Sequence, residues 1–101
     1  YTGHMAELTF EWDPRKSRAN FKKHGVTFAE AESVFYDEGG LLIDDPDHSE
    51  DEDRFLLLGL SASLRELIVS HCYRQTGGTI RIISARKAKP RERQQYRLKA
   101  R

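Results

Sequence analysis

The sequence has little of several features that would point to common protein classes. Its single cysteine, Cys72, excludes an internal disulfide framework and indicates a reducing compartment. It has no apolar run near the roughly 20 residues that cross a bilayer, and its first residues lack a basic-then-apolar signal pattern. A chain of 101 residues also has little interior for an enclosed cavity. We therefore expect a cytoplasmic, non-membrane protein whose chemistry takes place in an open cleft, where a macromolecular substrate fits best.

The length predicts one domain. The first five residues, Tyr1-Thr2-Gly3-His4-Met5, resemble a cloning remnant that ends at a native Met5. We therefore expect residues 6–101 to form that single domain, since no internal repeat or low-complexity segment divides them.

Motifs for metals and cofactors are also missing. No Cys/His pairs have zinc spacing, and no glycine-rich loop is present to hold a phosphate. Asp45, Asp47 and Ser49 have the alternate spacing of a calcium loop, but Glu50 occupies the position that requires glycine. We predict neither a metal nor a cofactor.

Charge is abundant and segregated along the chain, although the formal net charge is only +1. Residues 37–53 contain nine acidic side chains and no Lys or Arg, whereas residues 81–101 contain nine Lys or Arg and one acid, Glu92. Such asymmetry indicates an electrostatic partner, and two solvated faces would explain it equally well. A polyanion held by the basic segment would be released by salt.

The first half of the chain contains signals for one strand and two helices. The alternation in Thr9–Trp12 predicts a short strand. Asp13 is a favourable N-cap for a helix from Pro14 to about His24, which Gly25 closes in the left-handed conformation. A capping box, Thr27 with Glu30, predicts a second helix that packs on the core.

The second half contains short apolar segments and turn residues. Strands are predicted at Leu41–Ile43, Arg54–Leu60, Glu66–Tyr73 and Thr79–Ala85. Short connections, including a hairpin at Gln75–Gly78, indicate an antiparallel meander. Lys89-Pro90 begins a basic C-terminal helix. The order β-α-α-β-β-β-β-α predicts an α+β fold with the helices gathered on one side of the sheet.

Three groups of residues resemble the BrnT family of type II toxins. The first is Phe10-Glu11-Trp12-Asp13 with Asn20, Lys23-His24-Gly25-Val26-Thr27-Phe28, Ala31 and Val34-Phe35. The second is Asp45-Pro46-Asp47-His48-Ser49 with Glu52, Arg54 and Gly59. The third is Arg81-Ile82-Ile83-Ser84-Ala85-Arg86 with Ala88, Glu92 and Tyr96. They occur in the family's order, and one departure is Leu60, where many relatives carry a basic residue.

The resemblance implies a RelE-like fold, a small twisted antiparallel sheet with helices packed on it. It implies an endoribonuclease that arrests growth, and a cognate ribbon-helix-helix antitoxin, BrnA-like, that represses the promoter together with the toxin. Operator DNA would then be bound only through the antitoxin. Two alternatives remain: a non-catalytic module that binds nucleic acid, and a protein-interaction subunit that acts as a co-repressor.

RNA cleavage without a metal needs a base for the 2′-hydroxyl, cations for the phosphate and an acid for the leaving oxygen. The candidate catalytic residues within the family-like segments are Lys23, Glu32, Arg54, Arg81 and Arg86. The candidate nucleic-acid-binding residues are His24, Lys87, Lys89, Arg91 and Tyr96. Structural explanations compete with these roles, such as ion pairs for the arginines, helix-dipole contacts for Lys23 and His24, and core packing for Tyr96.

Arg81 and Arg86 are the preferred phosphate-binding pair, because a guanidinium binds phosphate through two donors and stays charged. They lie five positions apart, so they would face opposite sides of a regular strand. A bulge, or the end of the strand near Ala85, is required for both to serve one site.

Overall fold

The computed structural model describes residues 8–45, 54–74 and 78–99. Its elements are β1 (Thr9–Glu11), α1 (Pro14–His24), α2 (Phe28–Ser33), a 3₁₀ turn (Val34–Tyr36), β2 (Leu41–Asp44), β3 (Arg54–Leu60), β4 (Glu66–Tyr73), β5 (Thr79–Lys87) and α3 (Pro90–Lys99). The fold is α+β. Three segments discussed above lie outside the described residues. They are the proposed cloning remnant, residues 46–53 of the acidic stretch (with Asp47 and Ser49), and residues 75–77 of the predicted hairpin.

Helix α1 begins and ends where the sequence predicts. The Asp13 carboxylate accepts a hydrogen bond from the Arg15 backbone N–H at 2.9 Å, and Pro14 occupies the first turn. Gly25 ends the helix with a φ of 73°, and its N–H donates to the Phe21 carbonyl at 2.8 Å. Both signals are local, which explains why both are confirmed.

The capping box of α2 forms only in part. The Thr27 hydroxyl oxygen accepts a hydrogen bond from the Glu30 N–H at 3.0 Å, as predicted. The Glu30 carboxylate instead pairs with the guanidinium of Arg65 and accepts from the Ser61 hydroxyl at 2.7 Å. The bond from Arg65 outweighs burial and lowers the pKa of Glu30. Glu30 thus fixes α2 to the turn between β3 and β4.

The five strands form a mixed sheet in the order β1-β5-β4-β3-β2. The pairs from β2 to β5 are antiparallel, as the meander prediction requires. The prediction of a wholly antiparallel sheet is wrong, because β1 runs parallel to β5, with Phe10 opposite Ile80. The meander argument applies only to strands joined by short connections, and β1 reaches β5 across most of the chain.

Helices lie on both faces of the sheet, so the prediction that they gather on one side is also wrong. On one face, which we call the helix face, α2 packs on the main core through Phe28 and Ala31, over Leu57 and Val69. On the opposite face, α3 places Tyr96 against a second cluster of Leu58, Ile68 and Ala88. None of the helices in the described ranges has the length and apolar character needed to cross a membrane.

A bulge in β5 decides which side chains share a face. His71 of β4 lies opposite Ile82, and the preceding Ser70 lies opposite Ser84, so Ile83 is the extra residue. This shift puts Arg81, Ser84 and Arg86 on one side of the sheet, which meets the condition that the sequence set for the two arginines. We call this side, on which α3 covers the cluster that contains Ile68, the open face. It includes Arg54 and Leu56 of β3, Ile68, Ser70 and Cys72 of β4, and Arg81, Ser84 and Arg86 of β5.

Asp37, which follows the 3₁₀ turn, joins α3 to the sheet. Its carboxylate accepts hydrogen bonds from the Tyr96 hydroxyl at 2.6 Å and from the Leu60 N–H at 2.8 Å. Burial alone would raise the pKa of Asp37, but the hydrogen bonds outweigh it and lower that pKa. Gly59 allows this approach, since a Cβ there would lie 2.9 Å from Val34 and 3.1 Å from Asp37.

Tyr96→Phe is expected to remove a stabilisation that is present at neutral pH and lost at alkaline pH. The bond to Asp37, aided by burial, raises the pKa of Tyr96 from an ordinary value of 10.0 to about 12. Because the folded state holds this proton more tightly, the stabilisation is complete below about pH 10 and is lost as pH rises towards about 12. Urea unfolding should show the variant less stable by about 1.5–3 kcal/mol at neutral pH, since the acceptor is charged. A difference between the two proteins that stays constant from neutral pH to about pH 11 would contradict this role.

Candidate active site

The open face contains a pocket of about 200 Å³, which we call the sheet pocket. It is lined by residues from the C-terminus of α1, from the segment after β2, and from β3, β4 and β5. These residues are His24, Asp45, Arg54, Leu56, Ile68, Ser70, Ser84, Ala85 and Arg86. Three residues proposed from the sequence, His24, Arg54 and Arg86, therefore meet at one site.

His24 reaches the sheet pocket because Asn20 fixes α1 to the edge of β5. Strand β1 pairs with β5 from Thr79 to Arg81, and beyond that point α1 lies along the strand. The buried Asn20 amide donates to the Ala85 carbonyl at 2.8 Å and accepts from the Ala85 N–H at 3.1 Å. Asn20 thus completes the ladder of this strand, and His24, one turn later, lies at the pocket.

Arg86 is held in place by Glu92 of α3. The two side chains form a two-point ion pair, with Nη1 to Oε1 at 2.8 Å and Nη2 to Oε2 at 3.0 Å. This pair raises the pKa of Arg86 and lowers the pKa of Glu92. The Arg86 Nε–H and one Nη2 proton have no partner among the described residues. The guanidinium is therefore immobilised and still has donors for an anion.

Arg54 and Asp45 form the other end of the sheet pocket. Arg54 begins β3 and lies opposite Cys72, four positions along β4 from the Ile68 that lies opposite Arg86. The Asp45 N–H donates to the Arg54 carbonyl at 3.2 Å, and only 5% of Asp45 is exposed. Ser70 lies between the two arginine positions, and the pocket thus has a cation at each end and hydroxyl groups in its middle.

Arg81 shares the open face but is not among the residues that line the sheet pocket. Its Nη1 lies 2.8 Å from a carboxylate oxygen of Glu11, its neighbour on β1. The same oxygen lies 3.4 Å from Nε of Arg74. Arg81 therefore takes part in the kind of surface ion pair that the sequence left as its alternative role.

The other proposed residues lie outside the sheet pocket. Lys23 is exposed on α1, Lys89 is exposed just before α3, and Arg91 is exposed on α3. Lys87 follows Arg86 and so faces the helix side, where its charge acts on Glu30. Glu32 belongs to α2, which packs on the helix face, and Tyr96 is bound to Asp37. The structure does not bring these side chains to the pocket.

Sequence reasoning missed three polar residues of the pocket. Asp45 was considered as a calcium ligand and as part of a family-like segment, and Ser84 only as part of such a segment. Neither of them, nor Ser70, was proposed as a site residue. A weak signal was present, since Ser70 directly follows an apolar run in β4 and Ser84 lies between Ile83 and Ala85 in β5. The pairing of Ser70 with Ser84, however, depends on the bulge at Ile83, which has no sequence signature here.

The arrangement suits binding of an anion beside a group that can transfer a proton. Two guanidinium groups supply charge and directed donors, and His24 supplies an imidazole at the same pocket. Over residues 8–45, 54–74 and 78–99, no group of three or more His, Cys, Asp or Glu side chains is close enough to hold a metal ion.

Comparisons with known proteins agree with this fold. A family model described as the ribonuclease toxin BrnT of type II toxin–antitoxin systems matches residues 12–92. The crystal structure of the Brucella abortus ribonuclease toxin BrnT is similar, with a TM-score of 0.63 and 23% sequence identity. The alignment covers 82% of this chain and 99% of that chain. A search of curated proteins finds no match.

Proposed function

Because this chain belongs to the BrnT family of ribonuclease toxins of type II toxin–antitoxin systems, we propose that it cleaves RNA in the sheet pocket without a metal ion. The observation that carries the proposal is the shared position of His24, Arg54 and Arg86, which come from three different elements. A proton-transferring group and two cations at one concave site are the kinds of group that phosphodiester cleavage requires.

The proposed reaction is an attack within the RNA strand. The 2′-oxygen forms a bond to the neighbouring phosphorus, the bond from phosphorus to the 5′-oxygen breaks, and one product ends in a 2′,3′-cyclic phosphate. A proton leaves the 2′-hydroxyl and a proton reaches the departing 5′-oxygen, so no co-reactant is consumed. We assign this transfer to His24, because an imidazole can accept and donate protons near neutral pH. The buried carboxylate of Asp45 is the alternative proton acceptor.

The two arginines are assigned to the phosphate. As the 2′-oxygen attacks, negative charge on the non-bridging oxygens increases, and fixed donors lower the free energy of that state. Arg86 is immobilised by Glu92, so little reorganisation is needed when the charge develops. The exposed cations Lys23, Lys89 and Arg91 and the flanking Arg81 are assigned to attraction of the RNA backbone, which is independent of its sequence.

Chelation is expected to leave the reaction unchanged. Purified protein should degrade single-stranded RNA at the same rate with EDTA and with magnesium, because every group in the proposed reaction is a side chain. The measurement is gel analysis of labelled RNA, and a 2′-deoxy nucleotide at the cleavage position serves as the control that should block it. Cleavage that is abolished by EDTA and restored by magnesium would contradict the metal-free reaction. Intact RNA in both buffers would favour a binding module.

Membership in a type II family implies a cognate antitoxin. We propose that this antitoxin is a ribbon-helix-helix protein similar to BrnA, that it covers the sheet pocket, and that the pair represses its own promoter in the cytoplasm. The basic stretch of nine Lys or Arg in residues 81–101 supports a contact with an acidic antitoxin segment. We also propose that the fold is RelE-like, and the small sheet bordered by helices supports this proposal.

A further inference from the structure

A wide groove lies along α1, on the N-terminal side of His24. We call it the α1 groove, and its volume is about 670 Å³. It is lined by Trp12, Pro14, Ser17, Arg18, Phe21, Lys22 and Thr27. Phe21 is 55% exposed, and the ring of Trp12 is held edge-on against the buried Phe28 at a centroid distance of 6.1 Å. The groove therefore combines a fixed aromatic ring with an accessible one.

The rim of the α1 groove is cationic. Helix α1 carries five Lys or Arg residues, at positions 15, 16, 18, 22 and 23, and no Asp or Glu. Arg18 and Lys22 are exposed, and neither forms an ion pair or side-chain hydrogen bond with another described residue. Two unpaired cations beside two aromatic rings attract a ligand that has both negative charge and a flat apolar surface.

The α1 groove and the sheet pocket are lined by residues of the same helix, α1. Ser17, Phe21 and His24 are spaced by four and three residues, so they lie along one stripe of the helix. Ser17 and Phe21 line the groove, and His24 lines the pocket. An RNA strand whose phosphate lies in the sheet pocket can therefore extend along α1, over the few helix residues that separate Phe21 from His24.

We propose that the α1 groove binds a nucleobase of single-stranded RNA, next to the nucleotides that are cleaved, by stacking on Phe21 and Trp12 with Arg18 and Lys22 near the backbone. This proposal rests on the proposed ribonuclease function. An acidic peptide also complements the cations, but RNA is favoured because the groove and the proposed phosphate-binding pocket lie on the same stripe of α1 and because base stacking uses aromatic rings directly.

Trp12 provides a direct test, because it is the single tryptophan of the sequence. The probe is a short 2′-O-methyl RNA oligonucleotide, which lacks the attacking hydroxyl and is not cleaved by this route. Its bases are expected to quench the fluorescence of Trp12. An abasic oligonucleotide of equal length and charge should bind about tenfold more weakly and leave the fluorescence nearly unchanged.

Phe21→Ala identifies the groove as the site. Its affinity for the base-containing oligonucleotide should fall about tenfold, and its affinity for the abasic one should stay the same. Leu98→Ala, at an exposed apolar residue of α3, is the matched control and should bind as the unmodified protein does. Thermal unfolding of both variants checks that the fold is retained.

Three outcomes would overturn the subsite. Equal binding and quenching by the abasic oligonucleotide would mean that charge alone is recognised. Unchanged binding by Phe21→Ala would place the base elsewhere. Quenching by an acidic, leucine-containing peptide but not by the oligonucleotide would identify a protein-binding surface. Failure of the ribonuclease function is recognised separately, because the unmodified protein would then leave cleavable RNA intact whatever Trp12 reports.

Discussion

Arg86→Ala is expected to reduce the rate of RNA cleavage by about 100- to 1,000-fold, the usual effect of removing one fixed donor from a developing negative charge. Arg86 lines the sheet pocket and is fixed by two bonds to Glu92, at 2.8 and 3.0 Å. The loss should appear in the catalytic rate at saturating RNA more than in KM, because the charge on the phosphate increases in the transition state. In cells, the same variant should relieve growth arrest on induction without an antitoxin.

Arg97→Ala is the matched control for this experiment. Arg97 also pairs with a glutamate, Glu66 at 3.1 Å, but its side chain is 69% exposed and it does not line the pocket. We expect cleavage within about twofold of the unmodified protein, as for most exposed ion pairs. Arg86→Lys keeps the charge but loses the two-point geometry, so it should recover only part of the activity. A folded Arg86→Ala protein with full activity would remove Arg86 from the reaction.

His24→Ala is expected to lower cleavage by about 100- to 10,000-fold, the range of general acid–base catalysis. His24 occupies the last turn of α1, and its side chain reaches the pocket without being part of the core. The substitution should therefore leave the free energy of unfolding nearly unchanged.

Lys23→Ala separates this role from simple charge at the helix end. Lys23 is exposed and lies outside the pocket lining, so its loss should slow cleavage only a few-fold, by weaker attraction of RNA. Added imidazole should restore part of the activity of His24→Ala and none of that lost in Arg86→Ala. Full activity in His24→Ala would assign the proton transfer to Asp45, and strong inactivation by Lys23→Ala would contradict the placement of the site.

Local signals in the sequence were sufficient for most helix and strand bounds. Asp13 and Gly25 act on groups within a few residues of themselves, so they define α1 whatever the rest of the chain does. The bounds of β3 and β4 were predicted correctly from continuous apolar runs. Strand β5 extends to Lys87, two residues beyond its predicted end at Ala85, because Arg86 and Lys87 continue the pairing with Ile68 and Leu67 of β4.

Pairing between distant segments could not be predicted from the periodicity of the sequence. Nothing in Thr9–Glu11 states whether its partner runs parallel or antiparallel, and the parallel pairing with β5 was missed. The position of α3 depends on Asp37, whose bond to Tyr96 joins two segments that no local rule connects. Both errors concern tertiary contacts, which single-sequence periodicity does not encode.

The candidate site was predicted only in part, because it too depends on contacts between distant segments. His24, Arg54 and Arg86 were proposed from residue type and from the family resemblance, and they line one pocket. Arg81 and Arg86 do share a face, because of the bulge at Ile83, but Arg81 is turned to Glu11. Asp45 could be recognised as a pocket residue only from the pairing of β2 with β3, which places it beside Arg54.

The sheet pocket joins stretches of chain that a ribosome makes far apart in time. Asn20 bonds to a residue 65 positions later, and Arg86 follows that residue directly. Chains begin to fold from the N-terminus during synthesis, but a contact this distant forms only when its later partner has emerged. A growing chain therefore contains α1 long before it contains a complete site. Partly synthesised copies of this toxin should consequently be harmless to the messenger RNA that encodes them.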